Sequence, residues 1–174
     1  KILVVGGGPA GCETAIRAAR RGHHVTIWEK NGSLGGQLRL TAALPARSEF
    51  FGLIRYHENA LKDAGVKVEL GREASADEIL LSGFDEVVIA TGRVHKPIKI
   101  RIKDNAPPVY TAEEVITENP VLGKRVAVIG GSFVGLEVAR KLILEGSISP
   151  EQLFYLMRYK VEPPEKLEAM LNSS

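Results

Sequence analysis

Short apolar runs, each closed by glycine or by a polar turn, organise this chain. Ile2-Leu3-Val4-Val5 is a β-branched run that ends in three consecutive glycines, and residues 10–21 then place apolar side chains at helical spacing until Gly22 stops them. HVTIWEK (24–30) alternates and closes on Glu29, so the first thirty residues predict a β-α-β unit. After a glycine-rich loop, residues 48–65 set Phe51, Ile54, Leu61 and Ala64 along one helical face, and residues 66–71 alternate as a strand. Residues 84–92 read as a buried strand stopped by Gly92. Pro97, Pro107, Pro108 and the alternating KIRIK at 99–103 predict an irregular crossover with one solvent-exposed strand. TAEEVI (111–116) opens with a helix-capping pattern, and an apolar run, a glycine-rich turn and a helix follow from Lys124.

The run-turn-helix of residues 126–146 repeats that of residues 2–22. Two such openings predict two nucleotide-type subdomains, 1–119 and 120–174, with the boundary near Pro120 to Gly123. The expected fold class is α/β: a Rossmann-like domain with a parallel sheet, then the truncated start of a second Rossmann-like unit. A strand resembling VTIWE should follow Gly146, but Ser149-Pro150-Glu151-Gln152 reads as a capped helix start. Leu153, Leu156 and Met157 form an apolar stripe behind it, and residues 163–171 read as another short helix. A helical insertion ahead of the partner strand is therefore expected, and the residue that would end that strand cannot be read.

Composition narrows the classes. At 174 residues the chain holds one domain, or one and part of another, and its 44% hydrophobic and 25% charged residues fit neither disorder nor a membrane class. The net charge of +2 comes from dispersed residues, which excludes an obvious nucleic-acid partner, and no apolar run approaches the roughly 18 residues of a membrane span. A single cysteine, Cys12, rules out an internal disulfide and fits a reducing cytoplasm. Lys1 sits directly before an apolar strand, so the chain is expected to be a piece of something longer.

The candidate chemistry lies in Gly6-Gly7-Gly8-Pro9-Ala10-Gly11, a G-x-G-x-x-G pattern between a predicted strand and a predicted helix. Gly6 permits the tight turn, Gly8 lets a pyrophosphate approach the backbone, and Gly11 lets the helix pack close. Free N–H groups at the helix start then face the phosphates. Glu29, ending the second strand, is placed to accept hydrogen bonds from ribose hydroxyls and would repel a 2′-phosphate, so FAD, NAD or ADP is favoured over NADP.

Four stretches, VVGGGPAG (4–11), IWEK (27–30), LGGQL (34–38) and ATG (90–92), together resemble the FAD half of the two-dinucleotide-binding-domain flavoproteins. Residues 35–71 resemble more specifically the C-terminal region of the 2,4-dienoyl-CoA reductase, trimethylamine dehydrogenase and NADH:flavin oxidoreductase family, and the likeness runs from residue 1 to about 145. The resemblance implies Gly8, Ala10 and Gly11 at the pyrophosphate, Glu29 at the adenosine ribose and Lys30 near the adenine. It puts Gly36 and Gln37 in a loop over the pyrophosphate or ribitol, Arg47 facing the cofactor, the Ala74 backbone at the adenine edge, and Thr91 and Gly92 beside the nucleotide. It also implies a preceding flavin barrel domain carrying FMN and a 4Fe-4S cluster, and a later return of the chain that completes the flavin-side contacts. The residues here would then hold the ADP moiety better than whole FAD and be inactive in isolation.

In the second turn, Gly130-Gly131-Ser132-Phe133-Val134-Gly135, serine stands where the family has its second glycine. The resemblance makes Gly130, Ser132 and Gly135 the turn of an NAD(P)H subdomain, with Glu137 near the helix start, but without its partner strand this is not expected to be a competent site. Cys12 reads as a small packing residue, His23 and His24 as surface residues without metal-ligand spacing, and Trp28 and Phe50-Phe51 as core or boundary aromatics. No side chain reads as an acid, base, nucleophile or metal ligand. The leading expectation is a flavin-dependent NAD(P)H oxidoreductase that passes electrons through FAD towards the flavin and iron–sulfur domain. The alternatives are a non-catalytic ADP-binding module of a larger flavoprotein and a thioredoxin-reductase-like enzyme, the latter lacking its CxxC here.

Overall fold

The computed structural model describes residues 1–45, 47–94, 101, 103, 105–144 and 150–172. Two compact units are formed, Lys1–Val109 and Tyr110–Ser174. In the first, β1 (Ile2–Val5), α1 (Pro9–Arg20), β2 (Val25–Glu29), α2 (Gln37–Ala42), α3 (Phe50–Asp63), β3 (Lys67–Leu70), α4 (Ala76–Leu81) and β4 (Glu86–Ile89) follow in order. The four strands make one parallel sheet in the order β3-β2-β1-β4. This is the Rossmann-like parallel α/β sheet that the alternation of runs predicts.

The central strands are mostly apolar, β1 entirely and β2 at Val25, Ile27 and Trp28, because both of their faces are covered. On one side Val4 and Ile27 pack with Cys12, Ala15 and Ile16 of α1 and with Ala60 and Leu61 of α3. On the other, Leu3, Val5 and Trp28 meet Ala74, Ile79 and Phe84, with Phe84 edge-on to the indole at 6.0 Å. Truncating a fully buried residue such as Ile16 or Leu61 to alanine would cost about 2 to 5 kcal/mol. β4 is the sheet edge, and Ile89 there is 64% exposed.

Three local features depart from the sequence pattern. The stretch after Gly36, expected as loop, forms α2, and Ser75 with Glu78 builds a reciprocal capping box that starts α4, which the periodicity did not single out. On α3 the buried face is Ile54, His57, Ala60 and Leu61, while Phe51 is 39% exposed. The apolar spacing was right for Ile54 and Leu61, but at the first turn of α3 solvent replaces the core. His57 takes a core position instead, with Nε2 3.6 Å from Glu13 Oε1 on α1.

The second unit holds α5 (Ala112–Thr117), α6 (Phe133–Leu144), α7 (Pro150–Arg158) and α8 (Pro164–Asn172). The capping pattern at Thr111 and Glu114 is formed in full, and Val115 of α5 and Val138 of α6 are buried. Residues 125–130, expected as a strand, take no strand conformation, and Val126, Val128 and Ile129 are exposed. A strand needs a ladder partner for its backbone groups, and the described residues of this unit supply none. Much of KIRIK, and the Ser149 cap expected before α7, fall outside the described residues.

Candidate functional site

The strand order sets the location. From β1 the chain runs outward through β2 and β3, then returns to the other side of β1 as β4. The strand order thus reverses at β1, which has β2 on one side and β4 on the other, and the space beyond the carboxyl ends at such a switch is the usual ligand position in an open parallel sheet. The turn at residues 6–11 lies there. Ala90 N–H, just past β4, donates to Val5 O at 2.8 Å, and Gly6 N–H donates to Trp28 O at 2.8 Å.

Each glycine of this turn meets a different neighbour. A Cβ on Gly6, whose φ is +110°, would lie 2.4 Å from Ala90 O, and one on Gly11 would lie 1.9 Å from Gly6 O. Both are backbone clashes, so strand, turn and α1 fit only with hydrogen at these positions. A Cβ on Gly7 would strike Leu34 Cδ2 at 2.5 Å, whereas none of the described residues lies within 4 Å of one on Gly8. Gly8 thus presents bare backbone to open space. The 34–37 loop approaches it from above: Gly35 N–H donates to Gly7 O at 2.8 Å, and a Cβ on Gly36 would sit 3.3 Å from Gly8 Cα.

Gly8 is also the N-cap of α1, with no side-chain cap bond and with Pro9 at the first helical position. The missing N–H of Pro9 costs nothing there, and the exposed N-terminal turn at Pro9 and Ala10 leaves its donors and the positive end of the helix dipole for an anion. Cys12, one turn later, is fully buried, and burial together with the Glu29 charge pushes its thiol up to about 11. It stays protonated at neutral pH and serves packing.

Glu29 ends β2 only 5% exposed, and its carboxylate is bound at three points. Oε2 accepts from Gly7 N–H at 2.6 Å, and Oε1 accepts from Asn31 N–H at 2.8 Å and from Asn31 Nδ2 at 2.7 Å. The acid is thereby tied to the glycine turn. Beside it, Arg72 N–H donates to Glu29 O at 2.8 Å, and the guanidinium lies 3.6 Å over the Trp28 ring while pairing with Glu69. Hydrogen bonds from the Lys67 ammonium and then the Arg72 guanidinium hold the Glu69 carboxyl below its usual range.

The other expected site residues divide into groups. Gln37 Nε2 donates to Arg93 O at 3.0 Å, which joins the 34–37 loop to the segment that carries the exposed Thr91 and Gly92. Gly6 to Gly11, Glu29, Gly36, Gln37, Thr91 and Gly92 therefore converge on the carboxyl end of the sheet. Lys30 is exposed directly after Glu29. Ala74 packs in the Trp28 cluster, and Arg47 is half-buried in the loop before α3, its N–H on Leu44 O at 3.2 Å. Gly130, Ser132 and Gly135 lie in the second unit. There Gly130 has φ +113° and a Cβ on Gly135 would lie 2.0 Å from Gly130 O, the same turn-to-helix fit as at Gly6 and Gly11.

Asn31, Arg72 and His57 escaped the sequence reading. An asparagine two residues after a strand-ending acid is a readable signal for a local side-chain turn, and His57 sits at i+3 from Ile54. Arg72 carries no such local mark. Among the described residues, no group of three His, Cys, Asp or Glu side chains could hold a metal ion, and no helix is long and apolar enough to cross a membrane.

Residues 1–149 match the family described as pyridine nucleotide-disulphide oxidoreductase. The chain is 39% identical over 177 aligned residues to a metal reductase of Desulforamulus reducens, covering 98% of this chain and 26% of that protein. It is 42% identical over 146 residues to a cinnamate reductase of Clostridium sporogenes, covering 84% of this chain and 22% of that protein. The solved structure of a 2-naphthoyl-CoA reductase in complex with 2-naphthoyl-CoA superposes with a TM-score of 0.76 at 38% identity, over 84% of this chain and 22% of that one. The chain thus spans about a quarter of the length of the curated relatives it matches.

Proposed function

The chain belongs to the pyridine nucleotide-disulphide oxidoreductase family as a Rossmann-type FAD/NAD(P)-binding region, and from that membership we propose that it holds FAD through its ADP moiety within a flavin-dependent NAD(P)H oxidoreductase. The observation that carries this reading is the combination of a bare backbone at Gly8, an uncapped α1 start and a fixed acid at Glu29. Each suits one part of the nucleotide. Gly8, Ala10 and Gly11 take the pyrophosphate against the helix dipole, Pro9 pre-forms the first turn, and Glu29 accepts from the ribose. Lys30 and the Ala74 backbone border the adenine, Gly36 and Gln37 close over the pyrophosphate or ribitol, Arg47 faces the cofactor, and Thr91 and Gly92 lie beside the nucleotide.

When bound, FAD supplies the electron transfer, and these residues bind and orient it. We assign 1–119 to this FAD half and 120–174 to the start of an NAD(P)H half, with Gly130, Ser132 and Gly135 as its turn. Electrons would pass from the nicotinamide through FAD to a flavin barrel domain with FMN and a 4Fe-4S cluster. The relatives' names cover very different acceptors, a metal, cinnamate and a naphthoyl thioester, and this supports acceptor choice lying outside the shared region. A cytoplasmic setting completes the proposal and rests on the single buried cysteine.

Purification and calorimetry test the reading. The expected result is a protein that binds ADP and binds whole FAD no more tightly, and retained flavin absorbance favours the flavin-enzyme reading over a non-catalytic ADP-binding module, which would come off the column colourless with adenine nucleotide. Tight, ring-specific FAD binding by residues 1–174 alone would overturn the ADP-moiety assignment, and failure to bind either would overturn the site.

A further inference from the structure

We propose that Asn31 is a positioning residue for nucleotide recognition: it clamps the Glu29 carboxylate in the one orientation that meets the ribose hydroxyls. The inference rests on the dinucleotide reading above and deepens it. A carboxylate offers about four lone-pair directions. Three are engaged within the protein, one on Oε2 by Gly7 N–H and two on Oε1 by the Asn31 backbone and side chain, at 2.6 to 2.8 Å. The carboxylate plane is therefore fixed before any ligand arrives, and the direction left open is on Oε2, the oxygen that already touches the glycine turn. Without the Asn31 amide, one backbone bond would remain on each oxygen, from Gly7 N–H and Asn31 N–H, and the second restraint on Oε1 that narrows the carboxylate's orientation would be lost.

The identity of the amide donor follows from its partner. Only Nδ2 satisfies a carboxylate, since Oδ1 would face it lone pair to lone pair. Asn31 is also braced from behind, because Gly71 N–H donates to Asn31 O at 3.0 Å and Arg72 N–H donates to Glu29 O at 2.8 Å. The exit of β3 thus fixes the backbone of residues 29–31 independently of the Asn31 side chain. Substitution of that side chain should consequently leave the loop in place and change only the acid.

The test compares ADP with 2′,3′-dideoxy-ADP by calorimetry, in the protein and in Asn31→Ala and Asn31→Asp. The unaltered protein should prefer ADP by about 10-fold to 100-fold, the range for the one charge-assisted hydrogen bond that the open direction on Oε2 can accept. Asn31→Ala should cut that preference at least about threefold while dideoxy-ADP affinity stays within about twofold, because only hydroxyl recognition depends on the clamp. Asn31→Asp keeps the turn and replaces the donor with a repelling carboxylate, so its preference should fall further. An undiminished preference in both variants, or an equal loss for both ligands, would overturn the inference alone and leave Asn31 a turn former. Absence of ADP binding, or of any ADP preference, in the unaltered protein would overturn the dinucleotide reading, and this inference with it.

Discussion

The two glycine-rich turns have almost the same local geometry and opposite surroundings. Gly6 and Gly130 have φ of +110° and +113°, and a Cβ on Gly11 or Gly135 would meet the carbonyl of that first glycine at 1.9 or 2.0 Å. Around the first turn, Ala90, Leu34 and Glu29 crowd in from the end of β4, the loop and β2, whereas among the described residues a Cβ on Gly130 or Gly131 would meet nothing within 4 Å. Cys12, which follows Gly11, is fully buried, while Leu136, which follows Gly135, is 64% exposed. A glycine motif therefore encodes its turn locally, and a site requires contacts that arrive from distant parts of the chain.

The strongest test of that contrast substitutes the matching glycines. Gly6→Ala should cost about 3 to 4 kcal/mol, combining left-handed backbone strain with the clash on Ala90 O, while Gly130→Ala should cost only the strain, about 1 to 2 kcal/mol. Chemical denaturation of the two variants measures both, and equal losses would mean the sheet neighbour is irrelevant.

The next effect separates Cys12 from Leu136. The folded thiol titrates near 11 against an ordinary 9.0, so its contribution to stability is complete below pH 9 and is lost as pH rises towards 11, where the unfolded thiol ionises first. The loss should reach about 2 to 3 kcal/mol. Cys12→Ala should flatten the stability profile over that window, and Leu136→Ala should not. Smaller still, Glu29→Ala should weaken ADP binding by about 1 to 3 kcal/mol in a titration, since the first turn alone has an acid tied to it. Unchanged ADP affinity would remove Glu29 from the ribose.

What could be read in advance followed the same division. The β-α-β opening, the Thr111 cap and the position of Glu29 all follow from short-range spacing, and the structure forms them. The run at 125–130 carries the same spacing but makes no strand, because strand formation depends on a partner that spacing does not reveal. α2 was hidden by its six-residue length and by a start at Gly36 that no side chain caps. The Arg72 stack on Trp28 and the support of Glu29 by Gly7 connect residues far apart in sequence, so no local pattern announces them. His57 shares the helical spacing of Ile54 and Leu61, but a polar residue at a core position breaks the apolar periodicity that marks a buried face.

Trp28 has a use beyond packing. It is the chain's only tryptophan, it directly precedes Glu29, and its buried Nε1 has no partner among the described residues. With the Arg72 guanidinium over the ring, the indole sits where a shift of charge beside Glu29 changes its local field. The protein thus contains a built-in optical reporter, and its emission can follow events at the first turn.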